Sequence, residues 1–357
     1  MSLKLRVGLF LFGLALAALV IHQVGLATLA QHLATAGWLL LPIVLVWAVV
    51  YLFNAFGWWT LLGTEPTRPP FLRTWFISVT CFALTYVTPA AGFGGEAFRV
   101  ADIAPWLGAR RAVGSAVQYR LLFALAHMIF VLLAIIPALV LLPGTPIAYA
   151  LIGVSLLIAG VVGWFLVRRH QEGMLEAGLD LLLAIPGIRR LARGLESRRE
   201  HLRALDTQIK TGYHEHPAAV RRALLIELLG RSFSAVELMV IFWGLGLGPL
   251  PLTAVVACAL STTVSNLFFF VPFELGAREG GLFLVFQLLG LAPEHGVFAA
   301  LVMRLRELTW ILLGLAFLWM SGGKIRAEPG DLEAAKRQGG QAAGSPSSVS
   351  SRAKRGI

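Results

Sequence analysis

The chain has 357 residues, of which 57% are hydrophobic and only 14% charged, and its mean hydropathy is +0.77. Soluble domains carry about a quarter charged residues, so this composition excludes an ordinary soluble protein and predicts an all-α polytopic membrane protein. A formal net charge of +11 would suit nucleic acid, but the positions of the basic residues favour a topological explanation instead. Cys81 and Cys258 lie in apolar stretches without a partner motif, which predicts neither a disulfide framework nor a metal site.

The first half of the chain alternates long apolar runs with one broken segment. Residues 7–26 follow two basic residues and predict an uncleaved first span, with a cleaved signal peptide as the alternative. A second span is predicted at 38–63. In the next segment, 71–107, the second limb is too short to cross about 30 Å of hydrocarbon. We therefore predict a re-entrant hairpin there, followed by spans at 111–142 and 147–167.

A polar insertion at 168–217 separates this half from the next. Its segment 188–210 has the pattern of an amphipathic helix on an anionic membrane surface, and a solvated helix packed on the protein's own loops is the alternative. A span at 219–246, a second hairpin at 251–291 and a last span follow.

The last span is predicted at 296–320. The integral membrane region is thus expected to cover 1–322, with about six full spans and two re-entrant hairpins. An eight-helix arrangement with spanning hairpins is the alternative. The tail, 323–357, is rich in small and basic residues and is expected to be disordered in the cytoplasm.

The basic residues give this topology a direction. Six of the 30 lie deep within hairpins or spans, and the remaining 24 lie on one predicted side or in the hairpin and helix ends that face it, while the opposite connections near 27–37, 143–146, 245–250 and 291–296 contain none. Positive residues accumulate in the cytoplasm. Both termini are therefore predicted to be cytoplasmic.

The order of span, hairpin and span occurs twice, over about 38–142 and again over about 219–320. The opening spans of the two units run in opposite directions, which predicts inverted repeats. Many secondary transporters use such repeats, with broken helices meeting near the midplane, to open one site to alternate sides.

The two hairpin tips share a sequence pattern. Each has a proline seven residues before a glutamate, with glycines between them and an arginine nearby: Pro89 precedes Glu96, and Pro272 precedes Glu279. Four residues at the tips are predicted to act as structural hinges, namely Pro89, Gly92, Pro272 and Gly276. The match extends further, because Arg120 follows Glu96 by 24 residues and Arg304 follows Glu279 by 25.

Charged residues inside a membrane are costly, about 2.5–3.5 kcal/mol each on insertion scales, and they usually pair and face an interior. Helical spacing places Glu96 with Arg99, Glu227 with Arg231, and Arg304 with Glu307 on shared helix faces. One interpretation is that each pair only joins helices. The other is that charge at both tips marks a cavity for an amphiphilic headgroup.

In the second interpretation, arginine forks bind a phosphate and the amides at the helix start near Gly94 and Gly95 add donors. The glutamates bind an amine or hydroxyls, or carry protons. The candidate substrate-binding residues are Glu96, Arg99, Gly94, Gly95, Gln118, Arg120, Glu237, Glu274, Arg278, Glu279, Arg304 and Glu307. Asn266 and His127 are as well explained by interhelical bonding and packing.

Motifs of soluble chemistry are missing. The run 92–95 follows no strand and carries no Lys-Ser/Thr, which excludes nucleotide binding. The sequence has no zinc ligand set and no Gly-x-Ser-x-Gly motif. We therefore expect no catalytic residue, no metal and no cofactor, and a protein that is not an enzyme.

The first tip with Arg99, followed by the second tip, resembles the lysylphosphatidylglycerol synthase transmembrane region, also called the flippase-like domain family, over roughly 5–322. The resemblance implies lipid transport in the bacterial inner membrane. It does not imply lipid aminoacylation, because that activity resides in a separate soluble domain that the 35-residue tail is expected to be too short to contain. Phe273 and Glu274 depart from the small residues that the family often has there.

The leading hypothesis from the sequence is a flippase-like carrier for a membrane lipid with an anionic or glycosylated headgroup. One alternative is an intramembrane enzyme acting on a polyprenyl or phospholipid substrate. Another is a non-transporting partner of a hopanoid or glycolipid synthesis complex. A homo-oligomer is also compatible with the sequence, and nucleic acid is not an expected partner.

Overall fold

A computed structural model describes residues 26–63, 68–87, 94–169, 216–267 and 277–321, with a few isolated positions between 179 and 207. The chain divides into two compact units, Met1–Trp319 and Met320–Ile357, and only the first two residues of the second unit are described. The described part is all-α, as predicted. Its nine main helices are α1 (Leu26–Leu61), α2 (Phe71–Val87), α3 (Gly94–Leu107), α4 (Ala109–Leu141), α5 (Pro146–Arg169), α6 (Pro217–Gly244), α7 (Pro251–Leu267), α8 (Ala277–Leu288) and α9 (Pro293–Ser321).

Prolines set the start of several helices. Four of them begin with a proline as the first helical residue, at Pro146, Pro217, Pro251 and Pro293. Proline is tolerated there because the first amides of a helix have no intrahelical acceptor and the ring fixes a helical φ. The prolines in the sequence therefore account for four of the nine helix starts.

Both hairpins contain a longer and a shorter helix. The first is formed by α2, of 17 residues, and α3, of 14. The second is formed by α7, of 17 residues, and α8, of 12. At 1.5 Å per residue, α3 and α8 are about 21 and 18 Å long, short of the roughly 30 Å of a hydrocarbon core. The predicted shortness of both second limbs is confirmed.

The opening helices of the two halves pack against each other along their length. The rings of Trp38 and Trp243 meet edge to face, with centroids 5.3 Å apart, near one end of the pair. Near the other end, Asn54 bonds to Glu227. Residue numbers therefore increase along α1 in the direction in which they decrease along α6, so the two helices are antiparallel.

Contacts in one half have counterparts in the other. α1 packs on α2 as α6 packs on α7, and α2 packs on α3 as α7 packs on α8. Across the halves, α4 packs on α7, and in the matching position α9 approaches α2, where Gly314 lies against Ala83. This correspondence pairs α1–α4 with α6–α9.

A left-handed glycine follows each short limb. Gly108, between α3 and α4, has φ +79°, and Gly290, between α8 and α9, has φ +71°. Side chains with a Cβ rarely adopt this backbone conformation. Both short limbs therefore turn into the next long helix through a glycine.

Two differences from the sequence analysis concern the spans. The connection predicted at 27–37 is helical, because α1 begins at Leu26 and no proline or glycine interrupts it before Gly37. Five of the six predicted spans lie in the described residues, and three of their helices are long and apolar enough to cross a membrane, over Gly37–Leu61, Ala109–Leu141 and Pro146–Trp164.

The helices α6 and α9 have 28 and 29 residues, and each has several charged residues. Several of these charged residues form ion pairs with residues of other helices. Whether both hairpins return to the side they entered stays a prediction.

Several predicted features lie outside the described residues. These are the apolar run 7–26, most of the segment 188–210, the tail 323–357, and both tips with Pro89, Gly92, Pro272, Glu274 and Gly276.

Candidate functional site

A polar cavity of about 190 Å³ lies among the central parts of the helices. It could hold roughly six water molecules at about 30 Å³ each, the scale of a small polar group. Two of its walls come from α6 and α9 near their midpoints, and the others from α1, α2, α7 and α8. Its charged lining residues are Arg231, Glu237, Arg278, Arg306 and Glu307, and its uncharged polar lining residues include Ser234, Ser261, Thr262, Ser265 and Asn266.

A two-point ion pair in the cavity wall joins α9 to α6. Arg306 donates from Nε to Glu237 Oε1 at 3.0 Å and from a terminal nitrogen to Oε2 at 3.2 Å. Trp47 Nε1 donates to Glu237 Oε2 at 2.8 Å, and its ring lies 3.8 Å from the Arg306 guanidinium carbon. Both charged side chains are almost fully buried. A two-point geometry with extra donors is what a buried pair needs to offset its desolvation.

Glu307 extends this network towards α8. The Glu307 carboxylate accepts hydrogen bonds from Arg278 and from Tyr86 Oη, the latter at 3.3 Å. One of its oxygens also lies 3.9 Å from a terminal nitrogen of Arg306. We name Glu237, Arg278, Arg306 and Glu307 the cavity network. It ties three helices of the second half together through alternating charges.

A further pair lies beside the cavity network. Arg304 donates to Glu279 on α8, and the Arg304 side chain is only 7% exposed. The sequence placed Arg304 and Glu307 on one face as a pair. Instead each bonds to α8, because the N-terminal turn of α8 supplies the opposite charge for both.

Arg231 lines the cavity without a carboxylate partner. Spacing on α6 suggested a pair with Glu227, but that pair does not form. Glu227 accepts from Asn54 at 2.9 Å instead. Within the described part of the chain, Arg231 has no ion pair and its Nε has no hydrogen-bond partner. Its guanidinium lies 4.6 Å from the centre of the Phe123 ring.

The first half has a looser group of charges, which we name the α3–α4 cluster: Glu96, Arg99 and Arg120. Arg99 Nε lies 3.4 Å from Glu96, and the Arg120 terminal nitrogen lies 3.9 Å from the same carboxylate. Arg99 is 6% exposed and lies between the rings of Trp58 and Tyr119, 4.5 and 4.6 Å from their centres. Aromatic faces, more than carboxylates, surround this cation.

The pair of Glu96 with Arg120 and the pair of Glu279 with Arg304 occupy matching places in the two halves. In each, a glutamate in the first turn of the short limb meets an arginine that is the twelfth residue of the next helix. The sequence spacings of 24 and 25 residues indicated this match. The structure brings both pairs together, the first loosely and the second closely.

The predicted binding residues thus fall into two groups. Glu237, Arg278 and Glu307 line the cavity. The others that are described lie elsewhere, namely Gly94, Gly95, Glu96, Arg99, Gln118, Arg120, Glu279 and Arg304. Gly95 has a packing role, because a Cβ there would lie 2.3 Å from the carbonyl oxygen of Cys81 on α2.

Sequence reasoning missed Arg306 and Trp47. Neither belongs to a tip or a repeated spacing, and a tryptophan in a span reads as an interfacial anchor. The signal available was the density of charge on α9, with two arginines and a glutamate within four residues. Among the residues that the structure describes, no group of three or more His, Cys, Asp or Glu could hold a metal ion.

Comparison with known proteins gives one match. The model of the family described as lysylphosphatidylglycerol synthase TM region matches residues 3–316. No curated protein and no solved structure matches the chain.

Proposed function

The chain belongs to the lysylphosphatidylglycerol synthase TM region family, and from this membership and the cavity we propose that it is a transporter that moves the polar headgroup of a lipid between membrane leaflets. The membrane is the inner membrane of a bacterium, with both termini in the cytoplasm. The protein acts as a carrier, without covalent chemistry on the lipid.

The observation that carries this proposal is the cavity with its network of charges. In a helical membrane protein, ionisable residues that face an interior mark pathways for polar substrates. The cavity lies near the midpoints of α6 and α9, and it is lined by charged groups and hydroxyls. Its size suits a headgroup fragment, while the acyl chains would stay in the bilayer.

The arrangement of the two halves supports a carrier further. The opening helices α1 and α6 are antiparallel, and the contacts α1–α2, α2–α3 and α4–α7 have counterparts in α6–α7, α7–α8 and α9–α2. Inverted repeats have this relation, and transporters use it to expose a central site alternately to the two sides. We propose that the halves of this protein are such repeats.

The test is transport in liposomes. The purified protein is reconstituted with a panel of headgroup-labelled bacterial lipids, and a membrane-impermeant reagent reports the leaflet of each label. We expect labelled headgroups to cross faster than in protein-free liposomes. A double variant, Glu237→Gln with Arg306→Met, should reduce the rate to that of protein-free liposomes, because it removes one of the two ion pairs of the cavity network while Gln still accepts from Trp47.

A matched control removes another buried pair. Arg73 bonds to Asp102 through two nitrogens, at 2.9 and 2.5 Å, and joins α2 to α3 away from the cavity. The double variant Arg73→Met with Asp102→Asn should keep transport. If the wild-type protein moves no lipid of the panel faster than protein-free liposomes, the carrier proposal is wrong, and a scaffold role in lipid synthesis becomes the better explanation.

A further inference from the structure

The charges of the described residues that line the cavity do not balance. Three arginines among them face it, Arg231, Arg278 and Arg306, against two glutamates, Glu237 and Glu307. Arg306 is paired with Glu237 and Arg278 with Glu307. Both of these glutamates are therefore paired with other arginines, and among the described lining residues positive charges outnumber negative ones by one.

The excess belongs to Arg231. Its neighbour one turn earlier on α6, Glu227, faces α1, where Asn54 donates to it and Gly57 leaves room for its carboxylate. Phe123 covers one side of the guanidinium. In the described structure, Arg231 has no ion pair and its Nε has no hydrogen-bond partner, although an arginine fork has five N–H donors.

An unpaired guanidinium in a water-poor interior is unfavourable, and proteins retain one where a ligand supplies the counter-charge. The neighbouring groups suit an anion with several oxygens. The hydroxyl of Ser265 and the amide of Asn266, both on α7, line the same cavity. The hydroxyls of Ser261 and Thr262 line it too, but they donate to the carbonyl oxygen of Cys258. A guanidinium with hydroxyl and amide donors is a phosphate-binding set.

We propose that Arg231 binds the phosphate of the transported molecule and selects ligands with one uncompensated negative charge over neutral ones. This inference rests on the proposed transport function, and it assigns the chemical class of the ligand. A phosphate in the cavity would pair with Arg231 while the cavity network stays intact. The phosphate belongs to a lipid headgroup or to a soluble phosphate, and the experiment distinguishes them.

Binding is measured by thermal stabilisation of the full-length protein in detergent. The probes are short-chain phosphatidylglycerol, the corresponding short-chain diacylglycerol, and inorganic phosphate. We expect phosphatidylglycerol to raise the melting temperature and diacylglycerol to leave it unchanged. The same concentrations are used for all probes, high enough that the effect of phosphatidylglycerol is saturated. If inorganic phosphate raises the melting temperature there and phosphatidylglycerol does not, the site binds soluble phosphate instead of lipid.

Variants at one position separate binding from packing. Arg231→Gln should weaken phosphatidylglycerol binding about 10- to 100-fold, the usual cost of losing hydrogen bonds from a charged group, and Arg231→Lys should be intermediate because it keeps the charge but loses the fork. Without added lipid, Arg231→Gln should melt at or above the wild-type temperature, since it removes an unpaired cation. Arg222→Gln, on the exposed face of the same helix, is the matched control and should bind like wild type.

The outcomes separate this inference from the transport function. If Arg231→Gln binds phosphatidylglycerol as tightly as wild type does, Arg231 is not the phosphate ligand. If wild-type protein in liposomes moves neutral and anionic lipids equally fast, the carrier stands and the selectivity fails. If it moves none but still binds phosphatidylglycerol through Arg231, the phosphate site stands and transport fails.

Discussion

The cavity network of the second half and the α3–α4 cluster of the first half differ in how their arginines are held. In the cavity network, carboxylates contact each arginine closely, and all four side chains are at most 13% exposed. In the α3–α4 cluster, Arg99 lies between aromatic rings, and the Arg120 side chain is 61% exposed.

The difference indicates that charged residues at similar sequence positions in the two halves need not contribute equally to stability. Both halves place a glutamate at the start of the short limb and an arginine on the next helix. In the second half, two further ion pairs formed by residues of α6, α8 and α9 lie beside them. We expect the second half to depend on its charges for stability, and the first half to depend on packing.

The largest expected effect tests the cavity network. Arg306→Met alone leaves Glu237 buried without its cation and should lower the free energy of unfolding by about 3–5 kcal/mol. Adding Glu237→Gln should restore most of this loss, because a neutral amide still accepts from Trp47. Chemical unfolding in detergent measures both. A double variant as unstable as the single one would contradict the pairing.

A somewhat smaller loss of stability is expected when the pair of Arg304 with Glu279 is broken. Arg304→Gln removes a charged hydrogen bond from a side chain that is 7% exposed, and should cost about 1.5–3 kcal/mol. The same unfolding measurement applies, with the first-half variant below as its counterpart. Equal costs for the two variants would mean that the halves are held alike.

Packing in the first half is tested at Gly95. A Cβ there would lie 2.3 Å from the Cys81 carbonyl oxygen and 2.5 Å from Thr85 Oγ1. Gly95→Ala should therefore force α3 away from α2 and cost about 1–3 kcal/mol. Gly280→Ala is the matched control, because no atom lies within 4 Å of its Cβ position. It should be neutral or slightly stabilising, and a loss there as large as at Gly95 would refute the packing explanation.

The smallest effect is expected at Arg120. Its side chain is 61% exposed and its nitrogen lies 3.9 Å from Glu96, so Arg120→Gln should cost about 0–1 kcal/mol. Raising the salt concentration should reduce even that difference, because exposed pairs are screened. A cost above that of Arg304→Gln would reverse the comparison of the two halves.

Much of the fold could be predicted, because helix starts and ends follow local chemistry. Prolines begin α5, α6, α7 and α9, and the short limbs of both hairpins were visible as short apolar runs. The start of α1 was missed, since a stretch with polar residues before Gly37 reads as a connection although nothing in it interrupts a helix. The matching spacings from Glu96 and Glu279 indicated two contacts that the structure contains.

The candidate site was predictable only in part. Glu237, Arg278 and Glu307 were selected because charge in a span is rare, and they do line the cavity. Arg306 was not selected, and Arg231 was assigned the wrong neighbour. Spacing along one helix shows which residues share a face, but it does not show which face meets another helix.

By itself, the sequence determined the helices, their approximate ends and the presence of charged residues within them, and it predicted a two-fold repetition. These depend on apolar periodicity, on proline and glycine, and on residue spacing, all of which act over a few turns. Only the tertiary structure decided which charges meet. Arg306 and Glu237 are 69 residues apart, and they pair because α6 and α9 pack with those faces together. The same packing directs Glu227 towards α1, and Arg231 therefore faces the cavity without a carboxylate partner among the described residues.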